Sequence, residues 1–214
     1  MSPTIRVVKV GGSLLDGVLD CGALGENLER WLADQSPAHH VLIVGGGRLT
    51  DVVREFDRRH NLGDEAAHGL ALETMSITAR LVANLLPGVR LVNDFAALRD
   101  GLADEGATIF DPRSFLADHE PHLDGTRLEA SWDVTSDSIA ARLAIVLGAA
   151  ELVLLKSAPP PSGAKTIAEL VEQGYVDRFS KRLASELPAW RVVNLQAEGC
   201  SQERRLHGTA EPSP

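Results

Sequence analysis

Two glycine-rich turns each follow an apolar segment of strand character. The first turn, Gly11–Ser13, comes just after Lys9, and the second is Gly45–Gly47. Because glycine has no Cβ, an anion can approach such a backbone closely and be met by several N–H groups. A lysine at the end of a buried strand needs an anionic partner. The pair of turns beside Lys9 therefore predicts a phosphate site, although each turn alone could simply connect a strand to a helix.

A second cluster of polar side chains lies in the segment 131–138, SWDVTSDS, before a helical pattern. Thr135 or Ser136 can cap that helix, and Asp137 in its first turn is favoured by the helix dipole. Capping accounts for one or two of these residues and leaves the others unexplained. A carboxylate here could hold cationic side chains in place around a transferring phosphoryl group.

Two further lysines stand where elements begin or end. Lys156 follows the apolar strand 151–155, and Lys181 comes near the start of a helical pattern. An ammonium group at a helix N-terminus opposes the dipole, so Lys181 is an unusual choice for a purely structural position. An exposed surface lysine is the competing interpretation.

Composition excludes several classes of protein. The 214 residues carry a formal charge of −9 and 44% are hydrophobic, which fits one globular domain and does not fit bulk binding of a nucleic-acid backbone. Two distant cysteines exclude a disulfide framework and a paired-cysteine zinc site. No targeting peptide or membrane span is recognisable, so we expect a cytoplasmic protein. Neither a P-loop nor a dinucleotide-binding glycine pattern is present.

Strand-like and helical segments alternate along the chain, which is typical of a mainly parallel sheet with helices on both faces. We predict strands at 5–10, 40–44, 89–92, 108–110, 151–155 and 192–195. Helices are predicted at 24–32, 49–56, 65–86, 95–102, 136–147, 167–172 and 177–187, with a polar loop at 118–127. Residues 1–208 are expected to form a single domain, with a frayed tail at 209–214. Parallel strands end on one edge of the sheet, so both glycine turns should meet there.

Five segments together resemble the amino acid kinase family: VVKVGGSLL at 7–15, VLIVGGGRLTD at 41–51, SWDVTSDSIAARLA at 131–144, ELVLLKS at 151–157 and VDRFSKRL at 176–183. The resemblance implies a three-layer αβα sandwich and phosphoryl transfer from ATP, with Mg²⁺, to a carboxylate or a phosphate. It also implies a homodimer or higher homo-oligomer. Beyond the Mg²⁺ carried by ATP, we expect no protein-bound metal.

The same resemblance assigns roles to individual residues. Lys9 matches the lysine that bridges the phosphates, Asp137 matches the acid that orients the lysines, and Lys181 matches a second lysine nearer the nucleotide. The phosphate-cradling turn matches Gly11, Gly12 and Ser13, with Lys156 also on the nucleotide side. The turn that flanks the acceptor matches Gly45, Gly46 and Gly47. Lys156-Ser157 stands where many members have Thr-Asp, and the following nucleotide loop is replaced by the short APPPSGAKT.

Within the family, SWDVTSDSIA and AHGLALETM look most like the small kinases of methanofuran synthesis, which phosphorylate an aminomethyl-furanmethyl phosphate to the diphosphate. Such an acceptor carries a phosphate and a primary ammonium. Asp133 would then face the ammonium, Arg48 or His68 the phosphate, and Trp132 could stack on the furan ring. The alternatives are another kinase of the family, of isopentenyl phosphate, uridylate or acetylglutamate type, or a non-catalytic relative that binds or stores an anion.

Overall fold

The computed structural model describes residues 3–16, 21–195 and 203–206, with backbone only at 21–23 and 203–206. The predicted tail at 209–214 lies outside these residues. None of the helices in the described ranges is long and apolar enough to span a membrane.

A seven-stranded sheet forms the middle of the fold, in the spatial order β3-β4-β2-β1-β5-β6-β7. The first six strands pair in parallel, and β7 is antiparallel to β6 at the edge. The predicted mainly parallel sheet is therefore confirmed. The strands are β1 Ile5–Val10, β2 His39–Val44, β3 Arg90–Val92, β4 Gly106–Phe110, β5 Glu151–Lys156, β6 Ala189–Asn194 and β7 Glu203–Leu206.

Helices cover both faces of this sheet. They are α1 Cys21–Ala33, α2 Gly47–His60, α3 Asp64–Leu85, α4 Phe95–Asp100, α5 Ser136–Val146, α6 Ile167–Glu172 and α7 Ser180–Leu183. Alternate strand residues face opposite layers. Val7 and Leu154 pack with α5, whereas Val8 and Val153 pack in a second cluster with α1. The three-layer αβα arrangement predicted from the resemblance is thus confirmed.

Two of the predicted elements differ from the structure. The segment 177–187 was predicted as one helix, but only Ser180–Leu183 is α-helical. Asp177 and Glu186 turn their carboxylates to other segments: Asp177 accepts from residues of α5, and Glu186 accepts from the main chain of Thr126. Part of the predicted 118–127 loop is helical, with one π turn at Phe115–His119 and one 3-10 turn at Glu120–His122.

A buried ion pair fixes α5 to that turn. Arg142 of α5 is 0% exposed, and its Nε lies 3.1 Å from Oε1 of Glu120. Arg142 also donates to the carbonyl of Asp124 at 2.8 Å, and Glu120 accepts from the N–H of Leu128 at 3.0 Å. Buried charges are tolerated only when paired and hydrogen-bonded in this way. The buried ion pair therefore anchors the helix α5, including its first turn.

Candidate active site

One carboxylate holds two lysines at the carboxyl edge of the sheet. Asp137 Oδ1 lies 2.9 Å from Lys9 Nζ, and Asp137 Oδ2 lies 2.7 Å from Lys156 Nζ. Lys9 is 5% exposed and Asp137 is 6% exposed. Lys156 donates a further hydrogen bond to the carbonyl of Tyr175 at 3.0 Å, and its ammonium lies over the Tyr175 ring. Two positive charges therefore share one buried negative charge.

The alternation of strand residues explains why these groups meet. Lys9 shares its face of the sheet with Val7, and Lys156 shares its face with Leu154, so both lysines extend towards α5. Asp137 is in the first turn of α5, after the N-cap Thr135. A carboxylate is favoured at that position by the partial positive charge of the helix N-terminus.

Burial and charge shift the pKa values of this cluster. Burial would raise the pKa of Asp137, but Lys156 and Lys9 together hold that pKa well below its usual range. Burial is the main cause that lowers the pKa of Lys156 to about 8, with repulsion from Lys9 adding to it and Asp137 opposing it. The carboxylate is thus fixed in its charged form, whereas Lys156 can lose its proton in mildly alkaline solution.

The two glycine turns lie against each other beside this cluster. A Cβ on Gly12 would be 2.4 Å from the main-chain nitrogen of Gly47, and Gly47 itself has φ +55°. The N–H of Gly45 donates to the carbonyl of Val10 at 2.9 Å, and the N–H of Gly11 donates to the carbonyl of Leu155 at 2.8 Å. A side chain would not fit at this contact, because the main chains of the two turns touch each other directly.

An open cavity of about 240 Å³ lies in front of the glycine turns. Gly12, Gly46 and Ser136 form its wall on the side of the lysine cluster. Residues of α2 and α3 and Trp132 also line the cavity. The cavity therefore joins the glycine turns to a surface of mixed aromatic, acidic and basic character.

Trp132 lines the cavity and contacts α2. Its indole N–H donates to Oδ2 of Asp57 at 2.8 Å, and the guanidinium of Arg54 lies 4.7 Å from its ring centroid. Arg54 also pairs with Asp51 at 2.7 Å. Thr50, Arg54 and Asp57 recur at helical spacing on one face of α2. This helical spacing could have identified Arg54 from the sequence, but Arg54 was not singled out there.

Most of the residues assigned from the sequence come together at this edge. Lys9, Lys156 and Asp137 form the ion-pair cluster, and the residues of both glycine turns lie beside it. Ser13 shares a hydrogen bond of 2.8 Å with Ser157, which links the first turn to the end of β5. Lys181 is exposed on α7. The second ammonium group that pairs with Asp137 is that of Lys156, and not that of Lys181.

The three residues predicted to bind the acceptor are distributed differently. His68 lines the cavity; burial lowers its pKa, and a hydrogen bond with the Ser131 backbone opposes that shift. Arg48 is exposed and lines a separate groove with Val52 and other residues of α2. Asp133 is exposed and lies 3.7 Å from Arg178. Asp16 and Asp51, which the sequence analysis did not single out, line the cavity instead.

Within the described residues, no group of three or more His, Cys, Asp and Glu side chains could hold a metal ion. Both oxygens of Asp137 already face ammonium groups. The cluster is therefore suited to binding an anion.

The sequence profile of the amino acid kinase family matches residues 4–160. The chain belongs to the amino acid kinase family. The family and the fold agree with the resemblance that the sequence motifs indicated.

One curated relative of this family member is the (5-(aminomethyl)furan-3-yl)methyl phosphate kinase of Methanocaldococcus jannaschii, which is 27% identical over 150 residues. The match covers 70% of this chain and 64% of that protein. The chain thus spans less than two thirds of the length of this relative.

Solved kinase structures share the fold. A UMP kinase from Bacillus anthracis superimposes with a TM-score of 0.61 at 14% identity, covering 93% of this chain and 90% of that one. A uridylate kinase from Archaeoglobus fulgidus gives a TM-score of 0.53 at 17% identity, covering 77% of this chain and 67% of that one. At these identities the likeness shows the fold alone.

We predict that Gly12→Ala separates the two glycine turns. The added Cβ would meet main-chain atoms of Gly47, which cannot rotate away as a flexible side chain can. The expected result is a loss of about 1–3 kcal/mol in the free energy of unfolding, measured by urea unfolding.

The matched control is Gly69→Ala in α3, where an added Cβ meets nothing within 4 Å. This variant should be neutral or more stable by up to about 1 kcal/mol. Equal behaviour of the two variants would contradict the close contact of the turns.

Proposed function

We propose that the chain is an ATP-dependent kinase that transfers a phosphoryl group to the phosphate of a small acceptor. The observation that carries this proposal is the pairing of Lys9 and Lys156 with one buried carboxylate, beside two glycine turns on the same sheet edge. This arrangement has one positive charge in excess and exposes main-chain N–H donors, which is what a triphosphate requires.

In the proposed reaction an oxygen of the acceptor phosphate attacks the γ-phosphorus of ATP. A new P–O bond forms to the acceptor, the bond between the γ-phosphorus and the bridging oxygen breaks, and ADP leaves with that electron pair. A phosphate monoester is largely ionised at neutral pH, so no general base is needed. Catalysis then consists of positioning and of neutralising charge.

The residues of the chain divide these tasks. Lys9 and Lys156 stabilise the negative charge on the phosphates, and the N–H groups of Gly12 and Ser13 bind phosphate oxygens, while Gly11 shapes the turn. Asp137 holds the two ammonium groups at fixed positions. The second turn, Gly45–Gly47, contacts the acceptor and the transferring group, and Lys181 acts from the nucleotide side.

We propose that Mg²⁺ enters with ATP. Because the oxygens of Asp137 are paired with lysines, that carboxylate is not free to coordinate a cation. The phosphate oxygens of ATP supply the ligands, and the metal adds neutralising charge to the phosphates while it is bound.

The cavity supports an acceptor that carries a phosphate at one end and a cationic group at the other. His68 can donate to phosphate oxygens, and Asp16 is a carboxylate that can meet an ammonium, whereas Asp51 and Arg54 are already paired with each other. Trp132 offers a flat surface for a small ring. An aminomethyl-furanmethyl phosphate has all three features, and the named relative at 27% identity supports this choice.

A homodimer is proposed on the family resemblance and on apolar side chains left exposed on α2 and α3. Val52 is 68% exposed, Phe56 is 52% exposed and Leu81 is 52% exposed. The test is the mass of the chain in solution, measured by light scattering.

The proposed reaction is tested with ATP, Mg²⁺ and a panel of acceptors, by measuring ADP. We expect ADP release to depend on the aminomethyl-furanmethyl phosphate, and Lys9→Ala to lower that release by about 10²-fold or more. Isopentenyl phosphate, UMP and acetylglutamate are the comparison acceptors. Release with one of these alone would overturn the proposed acceptor. ATP binding without release on any acceptor would instead indicate an anion-binding protein.

The pKa of Lys156 predicts how the activity depends on pH. Lys156 carries its positive charge below about pH 8 and loses it above that value. The kcat/KM of the free enzyme should therefore fall above about pH 8, by about tenfold per pH unit. In Lys156→Arg the guanidinium remains charged, so this alkaline limb should move to higher pH.

The matched control is Lys165→Arg, at an exposed lysine outside the cluster. Its alkaline limb should coincide with that of the wild type. A limb that stays at the same pH in Lys156→Arg would show that another group is responsible.

A further inference from the structure

Asp177 precedes α7 in the chain, and its carboxylate reaches the first turn of α5. Oδ2 accepts hydrogen bonds from the N–H of Thr135 at 2.9 Å, from the hydroxyl of Thr135 at 2.8 Å and from the N–H of Ser138 at 2.9 Å. Thr135 is the N-cap of α5, and Ser138 directly follows Asp137. These contacts fix the main chain on both sides of the carboxylate that pairs with the lysines.

The second oxygen of Asp177 serves another element. Oδ1 accepts from the N–H of Ser180 at 2.9 Å and from the hydroxyl of Ser180 at 2.8 Å, and the hydroxyl of Ser138 also donates to it. Ser180 is the first residue of α7 and is followed by Lys181. One carboxylate thus joins the start of α5 to the start of α7.

We propose that Asp177 is a positioning residue that holds Asp137 and Lys181 at a fixed separation in the active site. The proposal rests on the proposed function, because it assigns Lys181 to the nucleotide side of the reaction. Lys181 is exposed, and α7 has only four residues. Leu183 anchors α7 by burial, and the hydrogen bonds of Ser180 to Asp177 restrain the residue directly before Lys181.

The chemistry of the partners explains why a carboxylate is required here. Every partner of Asp177 is a donor, and an ionised carboxylate accepts at both oxygens. An asparagine could keep its carbonyl oxygen towards the two main-chain N–H groups of α5. Its amide NH₂ would then face Ser180. The hydroxyls of Ser138 and Ser180 can rotate to accept from that NH₂, but the N–H of Ser180 cannot reverse.

Asp177→Asn should therefore preserve the start of α5 and loosen the start of α7 at Ser180, next to Lys181. We expect turnover to fall by about 10²-fold, the scale associated with a displacement of about 1 Å in a catalytic group. The fold should persist, which thermal unfolding checks. Should the asparagine variant not fold, Ser180→Ala removes a single donor to Oδ1 and tests the same contact, with a smaller loss of turnover expected.

The decisive experiment is a double-mutant cycle of Asp177→Asn with Lys181→Ala, read as kcat and as KM for ATP. If Asp177 acts through Lys181, the double variant should lose little more activity than Lys181→Ala alone. Fully additive losses would overturn the proposal for Asp177 and leave the proposed kinase reaction intact. Unchanged turnover in Lys181→Ala would overturn the role of Lys181 and this proposal together. Absence of turnover in the wild type with every acceptor would overturn the proposed function.

Glu169→Gln is the matched control. The carboxylate of Glu169 also accepts main-chain N–H groups before a helix, from Lys165 at 2.7 Å and from Thr166 at 2.9 Å, but it does so at α6. This variant should retain wild-type kcat and KM for ATP. A loss as large as that of Asp177→Asn would show that weakening any helix start has the same effect.

Discussion

The site depends on a single buried carboxylate that is shared by two lysines. Asp137 is 6% exposed, and its two oxygens face Lys9 and Lys156. An isolated buried ammonium would be unstable in its charged form. One carboxylate between two lysines keeps both of them in place and leaves one positive charge in excess within the cluster of Lys9, Lys156 and Asp137. An anionic ligand supplies the missing negative charge, so the binding of phosphate also stabilises the cluster.

The surrounding elements serve to keep this cluster at the carboxyl edge of the sheet. β1 and β5 are adjacent and parallel with Lys9 opposite Leu154, so Lys156, two residues further along, lies on the same face as Lys9. The buried pair of Arg142 and Glu120 fixes α5 against the domain. Each glycine turn then packs on the other because neither has a side chain at the contact. A rigid scaffold with exposed main-chain donors is an effective way to bind phosphates, since little reorganisation is needed when the ligand arrives.

Much of this arrangement could be predicted from the sequence, because it follows from strand alternation and glycine chemistry. The period of two along β1 and β5 places Lys9 and Lys156 on one face, and helix capping places Asp137 at the start of α5. Other features depend on tertiary contacts. The 177–187 pattern is helical in period, yet the carboxylate of Asp177 bonds to α5 and only a short helix forms. Arg48 was singled out because it follows the glycines and Arg54 was missed, although the period of α2 brings Arg54 to the cavity.

The shared carboxylate is tested most directly by an NMR titration of the lysine side chains, of which the chain has four. Lys156 should titrate with a pKa of about 8. Asp137→Asn removes the charge that favours the ammonium form, so in that variant the pKa of Lys156 should fall further. Lys165, which is exposed, should not respond to the substitution. A Lys156 that titrates in the ordinary range of an exposed lysine in both proteins would contradict the account, because the cluster could not then be buried around Asp137.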